Sequence, residues 1–218
     1  LSRLSDVKES WIGCQKCGLH VSRTRVVFSD GPETADIMIV GEGPGATEDA
    51  KGIPFCGVSG ELFNEILRCA GISRQECYWT NAIRCHPYGN RAPLQPELDA
   101  CRPLLLAEIE IIKPKVIIMA GQTAARTLMG TTSSMGSIAG KFTNINGIPA
   151  IAIYHPAAIL RNKDLNPDRY MEYKKSVWAS IKAVKKYIDE VRAGKQPEVK
   201  AEVVGKQKPA VDSQMSLL

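Results

Sequence analysis

The chain has 218 residues, 44% of them hydrophobic and 23% charged, an ordinary balance for a soluble globular protein. That length predicts one domain with tails, and a core large enough to stand without disulfide staples. Lys and Arg outnumber Asp and Glu by 28 to 23, and the resulting +5 is a mild lean toward polyanions that identifies no partner by itself. No run approaches the ~18 apolar residues of a membrane span, and the opening "LSRLSDVKES" has no apolar core, so an intracellular protein is expected.

In chain order, "SDVKESWIGC" predicts a short helix running into a turn at "CQKCGLH". "ADIMIVGEG" reads as a buried strand: short, continuous and stopped by glycine. "GELFNEILRCAGI" carries Leu62, Phe63, Ile66, Leu67 and Ala70 at helical spacing and ends at Gly71. "CYWTNAI" is a second strand. "QPELDACRPLLLAEIEII" is an amphipathic helix with Pro96 suited to its first turn. "KVIIMAG" is a third strand and "QTAARTLMG" the helix after it. "FTNINGIPAIAIYHP" reads as a hairpin, or as two strands joined at "NING". "DRYMEYKKSVWASIKAVKKYIDEV" is a long closing helix. The polar, aperiodic segment after it predicts a flexible tail over residues 193–218, leaving one domain over residues 1–192.

Strands alternating with helices predict a three-layer α/β/α sandwich around a central, mostly parallel four-stranded sheet. Sites in such sheets lie at the carboxyl edge of the strands. Three strands end in polar chemistry there: Glu42 after the first, Asn81 after the second and His155 after the last. A lone histidine is more often structural than catalytic, but this convergence favours a site.

Seven cysteines, an odd number, argue against a disulfide framework and for metal ligands or redox thiols. Cys14 and Cys17 form a C-x-x-C pair, while Cys85 and Cys101 are separated by a helix-length gap. That split suits an iron–sulfur cluster better than a zinc ribbon. A zinc site, or a redox pair with two core thiols, remains open on spacing alone. Cys69 and Cys77 read as packing residues.

The turn "GEGPGATED" looks like a nucleotide loop, with glycines at 41, 43 and 45. It lacks the Lys-Ser/Thr of a Walker loop and the spacing of a dinucleotide fingerprint. Glu42, Glu48 and Asp49 would repel phosphates, so the turn serves another task.

Together the motifs resemble the iron–sulfur uracil-DNA glycosylases, family 4 of their superfamily, from about Cys14 to about Tyr187. They are "CxxCxLHxSRT", "IMIVGEGPGATED", "GIPFCGVSGELF", "YWTNAIRCHPYGNRAP", "CRPLLLAEIEIIKPKVIIMAG" and "YHPAAILRN", in that order. The resemblance implies a uracil-DNA glycosylase-like fold and a repair enzyme that removes uracil from single- and double-stranded DNA. It implies that Cys14, Cys17, Cys85 and Cys101 hold a structural 4Fe–4S cluster. It further implies that Phe55 stacks on the flipped uracil, that Asn81 hydrogen-bonds the base edge, and that His155 contacts the carbonyl oxygen beside the scissile nitrogen. Glu42 would sit near the attacking water, and Glu48 would crowd the 5-position of the base against thymine. Gly41 and Gly43 would let the backbone approach base and ribose closely. Ala158, Ile159 and Leu160 would form a wedge in the duplex, with Arg161 on a phosphate. The plain alternative for "HPAAILRN" is an ordinary strand-to-helix loop with a capping asparagine.

Two positions depart from the family pattern "PFVGRAG": Cys56 replaces valine and Val58 replaces arginine. At the other end, Gln214, Met215, Ser216, Leu217 and Leu218 resemble the short peptide by which DNA-repair proteins hold a bacterial-type sliding clamp. The expected protein is a monomer that binds uracil-containing DNA and, through this tail, a clamp. The competing reading is a non-catalytic DNA-binding accessory on the same fold.

Overall fold

The computed structural model describes residues 3–197 and residue 199. The clamp-like peptide at residues 214–218 and most of the predicted tail lie outside the described residues.

The chain opens with α1 (Leu4–Glu9), passes the Cys14–Cys17 turn, and enters β1 (Ile37–Gly41). There follow α2 (Ala46–Lys51), α3 (Val58–Cys69), β2 (Cys77–Asn81), α4 (Gln95–Ile112), β3 (Val116–Ala120) and α5 (Gln122–Met129). A short α6 (Met135–Ile138) leads into β4 (Phe142–Ile145) and β5 (Ile148–Ile153), then α7 (Pro156–Leu165) and α8 (Pro167–Arg192).

The sheet has five strands in the order β2-β1-β3-β5-β4, not the four expected. β1, β2, β3 and β5 are parallel, and β4 adds an antiparallel edge. The extra strand arises at "NING". Asn146 and Gly147 both take positive φ, 50° and 89°, the geometry of a tight two-residue hairpin turn. The turn folds β4 back onto β5, so the hairpin reading holds and the strand count rises by one.

Both faces of the parallel strands are covered, which is why β1, β3 and β5 are almost continuously apolar. Ile37, Ile39, Trp79, Ile118 and Ile151 face α3, α7 and α8, where they meet Phe63, Leu67, Ile159, Val177 and Ile181. Their alternating neighbours Met38, Val40, Tyr78, Ile117 and Met119 face α4 and α5, against Leu105, Ile109, Ala124 and Leu128. The three-layer sandwich therefore follows from period-two alternation in strands and helical periodicity in their partners.

One charged pair lies inside this frame. Arg84 and Glu108, 1% and 0% exposed, bond at 2.6 Å. Thr80 Oγ1 donates to the same carboxylate at 2.6 Å, and Arg84 also donates to the carbonyl of Asn81. The pair thus ties α4 to the end of β2, where a site residue sits.

Candidate active site

The carboxyl edge of the sheet opens into a cleft of about 600 Å³, within the range for ligand sites. Its lining includes Glu42, Gly43, Glu48, Phe55, Asn81 and His155, from five separate segments. Register explains the meeting. Gly41 pairs with Asn81, so Glu42 and Asn81 leave adjacent strands side by side. His155 stands just beyond the end of β5, which reaches β1 through β3.

Gly41 is required by close approach: a Cβ there would lie 2.4 Å from Asn81 Oδ1 and 2.5 Å from Phe55 Cζ. Its missing side chain lets the amide and the ring converge. Phe55 itself has φ 54°, an uncommon conformation for a bulky residue, so something must hold it. Arg74 does. Its guanidinium donates to the carbonyls of Pro54 at 2.9 Å and Phe55 at 3.4 Å, to Asn64 at 3.2 Å and to Asp30 at 2.9 Å. It also lies 4.6 Å over the Trp79 ring, which packs 5.1 Å from Phe55. Gly60 lets α3 press against this turn, since a Cβ there would meet the Phe55 carbonyl oxygen at 2.0 Å.

His155 caps α7: its Nδ1 accepts from the N–H of Ala157 at 3.1 Å. A nitrogen that accepts carries no proton, so the neutral ring is protonated on Nε2. Burial, aided by the charge of Arg161, pushes its pKa down to about 4, although the ring keeps an open edge on the cleft. His155 is therefore a neutral N–H donor at physiological pH. Its ring lies nearly parallel to Phe55, 25° apart with centroids 6.4 Å apart. Asn81, 3% exposed, makes no hydrogen bond through its side chain to the described residues, and so keeps both ends of its amide for a ligand.

The carboxylates divide their work. Glu42 accepts a hydrogen bond from Thr123 Oγ1 on α5, which fixes it at the cleft. Glu48 lines the cleft, but both its oxygens are engaged: Oε1 takes the N–H of Gly57 at 2.7 Å and Oε2 that of Gly45 at 3.1 Å. It braces the glycine turn against the Phe55 loop. Asp49 accepts the N–H of Thr24 at 2.8 and 3.0 Å and anchors the segment after the C-x-x-C pair. Burial pushes its pKa up, but hydrogen bonding from the Thr24 side chain and from the backbone N–H groups of Thr24 and Arg25 holds it below the usual carboxylate value.

The predicted wedge is corrected in part. Residues 156–165 are helical from the first position, because Pro156 starts the helix at N1 and His155 caps it. Helical periodicity then turns Ile159 inward; it is 1% exposed in the core and is not available to enter a duplex. Ala158 and Arg161 line the cleft, while Leu160 is half-buried and outside its lining. Val58 is 70% exposed at the start of α3.

Cys14, Cys17, Cys85 and Cys101 line one small cavity with Trp11, Arg23 and Arg84. Arg23 donates to the Cys14 carbonyl at 2.6 Å and approaches Cys85 Sγ at 3.4 Å. Burial raises the Cys85 thiol to about 11 and the Cys101 thiol upward as well, so thiolates at these positions need a compensating cation. Among the described residues no group of three or more His, Cys, Asp or Glu is arranged to hold a metal ion. Four thiols from two distant stretches of the chain nevertheless share one cavity, a donor set of the kind that holds a metal centre.

Thr123, Arg74 and the tyrosine pair Tyr154–Tyr173, stacked at 3.8 Å beside the cleft, were not anticipated. The signal for Thr123 is in the chain: β3 also ends at this edge, at "GQT".

The fold and cleft define an α/β protein that presents, at one sheet edge, polar groups and an aromatic face around a single cleft. Residues 28–182 match the family model of the Uracil DNA glycosylase superfamily. The chain is 35% identical over 183 residues to a Type-4 uracil-DNA glycosylase of Archaeoglobus fulgidus, covering 80% of this chain and 92% of that one. It is 39% identical over 177 residues to a Type-4 uracil-DNA glycosylase of Thermotoga maritima, covering 80% and 89%. For a Type-4 uracil-DNA glycosylase of Sulfurisphaera tokodaii the figures are 34% over 207 residues, 89% and 93%. The chain belongs to the uracil-DNA glycosylase superfamily, in its type-4 branch.

Proposed function

We propose that this protein is a DNA-repair glycosylase that hydrolyses the N-glycosidic bond of uracil in DNA and leaves an abasic site. The observation that carries the reading is the meeting of Glu42, Asn81 and His155 beside Phe55 in one cleft, in a chain of this family.

The target nucleotide must first leave the base stack. Uracil then lies against Phe55, its edge bonded by the Asn81 amide. As the bond from the sugar to the base nitrogen breaks, its electron pair moves onto uracil. The Nε2–H of neutral His155 faces the carbonyl oxygen where that charge gathers, a preorganised donor of the oxyanion-hole kind. Backbone N–H groups of the glycine turn at Gly41 and Gly43 add to it. Water bonds to the sugar carbon left electron-poor, and its proton passes to Glu42, held in place by Thr123. No lysine lines the cleft among the described residues, which favours water over an amine as nucleophile and hence a monofunctional enzyme. Glu48, fixed by the backbone amides of Gly45 and Gly57, is read as the acidic group that excludes thymine.

Cys14, Cys17, Cys85 and Cys101 would hold a 4Fe–4S cluster. When bound it supplies a cross-link: it joins the N-terminal segment to the loop after Asn81 and to α4. Gln214, Met215, Leu217 and Leu218 are read, on resemblance alone, as a sliding-clamp peptide that raises local concentration at replicating DNA inside the cell. The enzyme itself is read as a monomer.

The test is incubation with a uracil-containing oligonucleotide, single- and double-stranded, followed by alkaline cleavage of abasic sites. Cleavage at uracil, lost in Asn81→Ala and His155→Ala while absorbance near ~400 nm persists, is expected. No product from a protein that carries its cluster would favour the non-catalytic accessory.

A further inference from the structure

Beside the active-site cleft runs a second groove, of about 530 Å³, between the first turns of α4 and the length of α5. The two adjoin. Pro93 lines both, and Gln122 in the cleft is followed directly by Thr123 in the groove. Two arginines line it, Arg102 from α4 and Arg126 from α5. Neither guanidinium makes an ion pair or a hydrogen bond among the described residues, and Arg102 Nε is buried without a partner. The acid in the groove, Asp99, is bonded to Gln95 at 2.8 Å. Thr132 adds a hydroxyl. Three other arginines near the site are spent, Arg74 on the Phe55 turn, Arg84 on Glu108 and Arg91 on Glu97, while Arg161 lines the cleft itself.

We propose that this groove is a DNA-backbone track, taking phosphates of the strand that carries the extruded nucleotide on the side of the cleft away from α7. The inference rests on the DNA-glycosylase reading above and adds where the flanking strand lies. A nucleotide held in the cleft keeps its strand attached on both sides, so phosphates must leave the cleft in two directions. Arg161 on α7 stands at one exit. Pro93 and Thr123 mark the other, which leads to two uncommitted guanidiniums. Arginine suits this task because its planar fork meets phosphate oxygens in pairs. Phosphate contacts carry no sequence information, so the track serves register and affinity. It also offers a use for positive charge at Arg102 and Arg126 that folding does not require: Arg126 is exposed and holds nothing in place.

The experiment measures binding of the full, cluster-loaded chain to a fluorescein-labelled 25-mer duplex bearing a single tetrahydrofuran abasic analogue, from 50 to 200 mM salt. Each lost phosphate contact flattens the slope of log K against log salt by about 0.9 on duplex. Arg102→Ala/Arg126→Ala should therefore flatten it by about 1.8, and across that fourfold salt range should lose about 12-fold less affinity than the unmodified chain. Arg126→Ala alone should give half the slope change and Arg126→Lys none. Since Arg102 adjoins Cys101, absorbance near ~400 nm checks the cluster in the double variant, and the single Arg126 variants stand independently of it. Lys182→Ala, an equal change of net charge in a separate groove beside Cys69 and Asp189, should leave the slope alone. A slope unchanged in Arg126→Ala, or changed equally by Lys182→Ala, overturns the track. Uracil release is scored separately: release with an unchanged slope defeats the groove alone, while a flattened slope without release leaves the groove and defeats the glycosylase.

Discussion

The protonation of His155 gives a prediction that can be worked through. Acidification is the perturbation. In the unfolded chain the imidazole titrates near 6.5, and in the folded protein near about 4. Below 6.5 the unfolded chain takes up a proton that the native protein refuses. The stabilising contribution is therefore whole above pH 6.5 and is lost as pH falls toward 4. At 1.36 kcal/mol per unit, the total loss is about 3 kcal/mol, and by pH 5.5 about 1.4 kcal/mol has gone. Urea denaturation at pH 8 and pH 5.5 reads this directly: the unmodified protein should lose about 1.4 kcal/mol more than His155→Gln. The two other histidines, His20 and His86, cancel in the comparison. Nitrogen-15 NMR of the ring checks the same claim without unfolding. The His155 signals should stay those of a neutral Nε2–H tautomer from pH 8 to pH 5. A midpoint near 6.5, equal losses in both proteins, or an Nδ1–H tautomer would refute the reasoning, because the donor role requires a neutral ring that accepts at Nδ1.

Two further outcomes follow from the packing. Arg74→Ala should release the Phe55 turn, whose positive φ carries strain of about 1–3 kcal/mol that the guanidinium bonds offset. KM for a uracil oligonucleotide should rise at least tenfold while the melting temperature falls only a few degrees; unchanged KM would show that Trp79 and Gly60 suffice. Removing one partner of a buried ion pair costs about 3–5 kcal/mol, so Glu108→Ala should unfold in correspondingly less urea. A loss under 1 kcal/mol would mean that water reaches Arg84.

Much of this was legible in the chain because strand order and polarity are local. "ADIMIV", "CYWTNAI" and "KVIIMAG" announce buried strands by their own residues, and the polar residue after each marks the sheet edge. Even the hairpin at "NING" was readable, since the positive φ of its two turn residues is a property of Asn and Gly. The four-strand expectation leaves the hairpin's first arm outside the sheet, whereas that short edge strand pairs with β5 as the fifth.

What the chain could not disclose is which polar side chain is spent on the fold and which is left for a ligand. Glu48 and Asp49 read alike along the sequence as acids in a glycine turn, yet both serve as braces for backbone amides brought in from elsewhere. Thr123 meets Glu42 across 81 positions, and Arg74 meets Asp30 across 44. Ile159 looks like a wedge beside Leu160, but a helix capped at His155 turns it into the core. Periodicity and turn chemistry act between near neighbours and so are written in the sequence. Hydrogen bonds across the sheet edge depend on which distant segments the closed sandwich sets within 3 Å or so of each other, and only the assembled structure makes that choice.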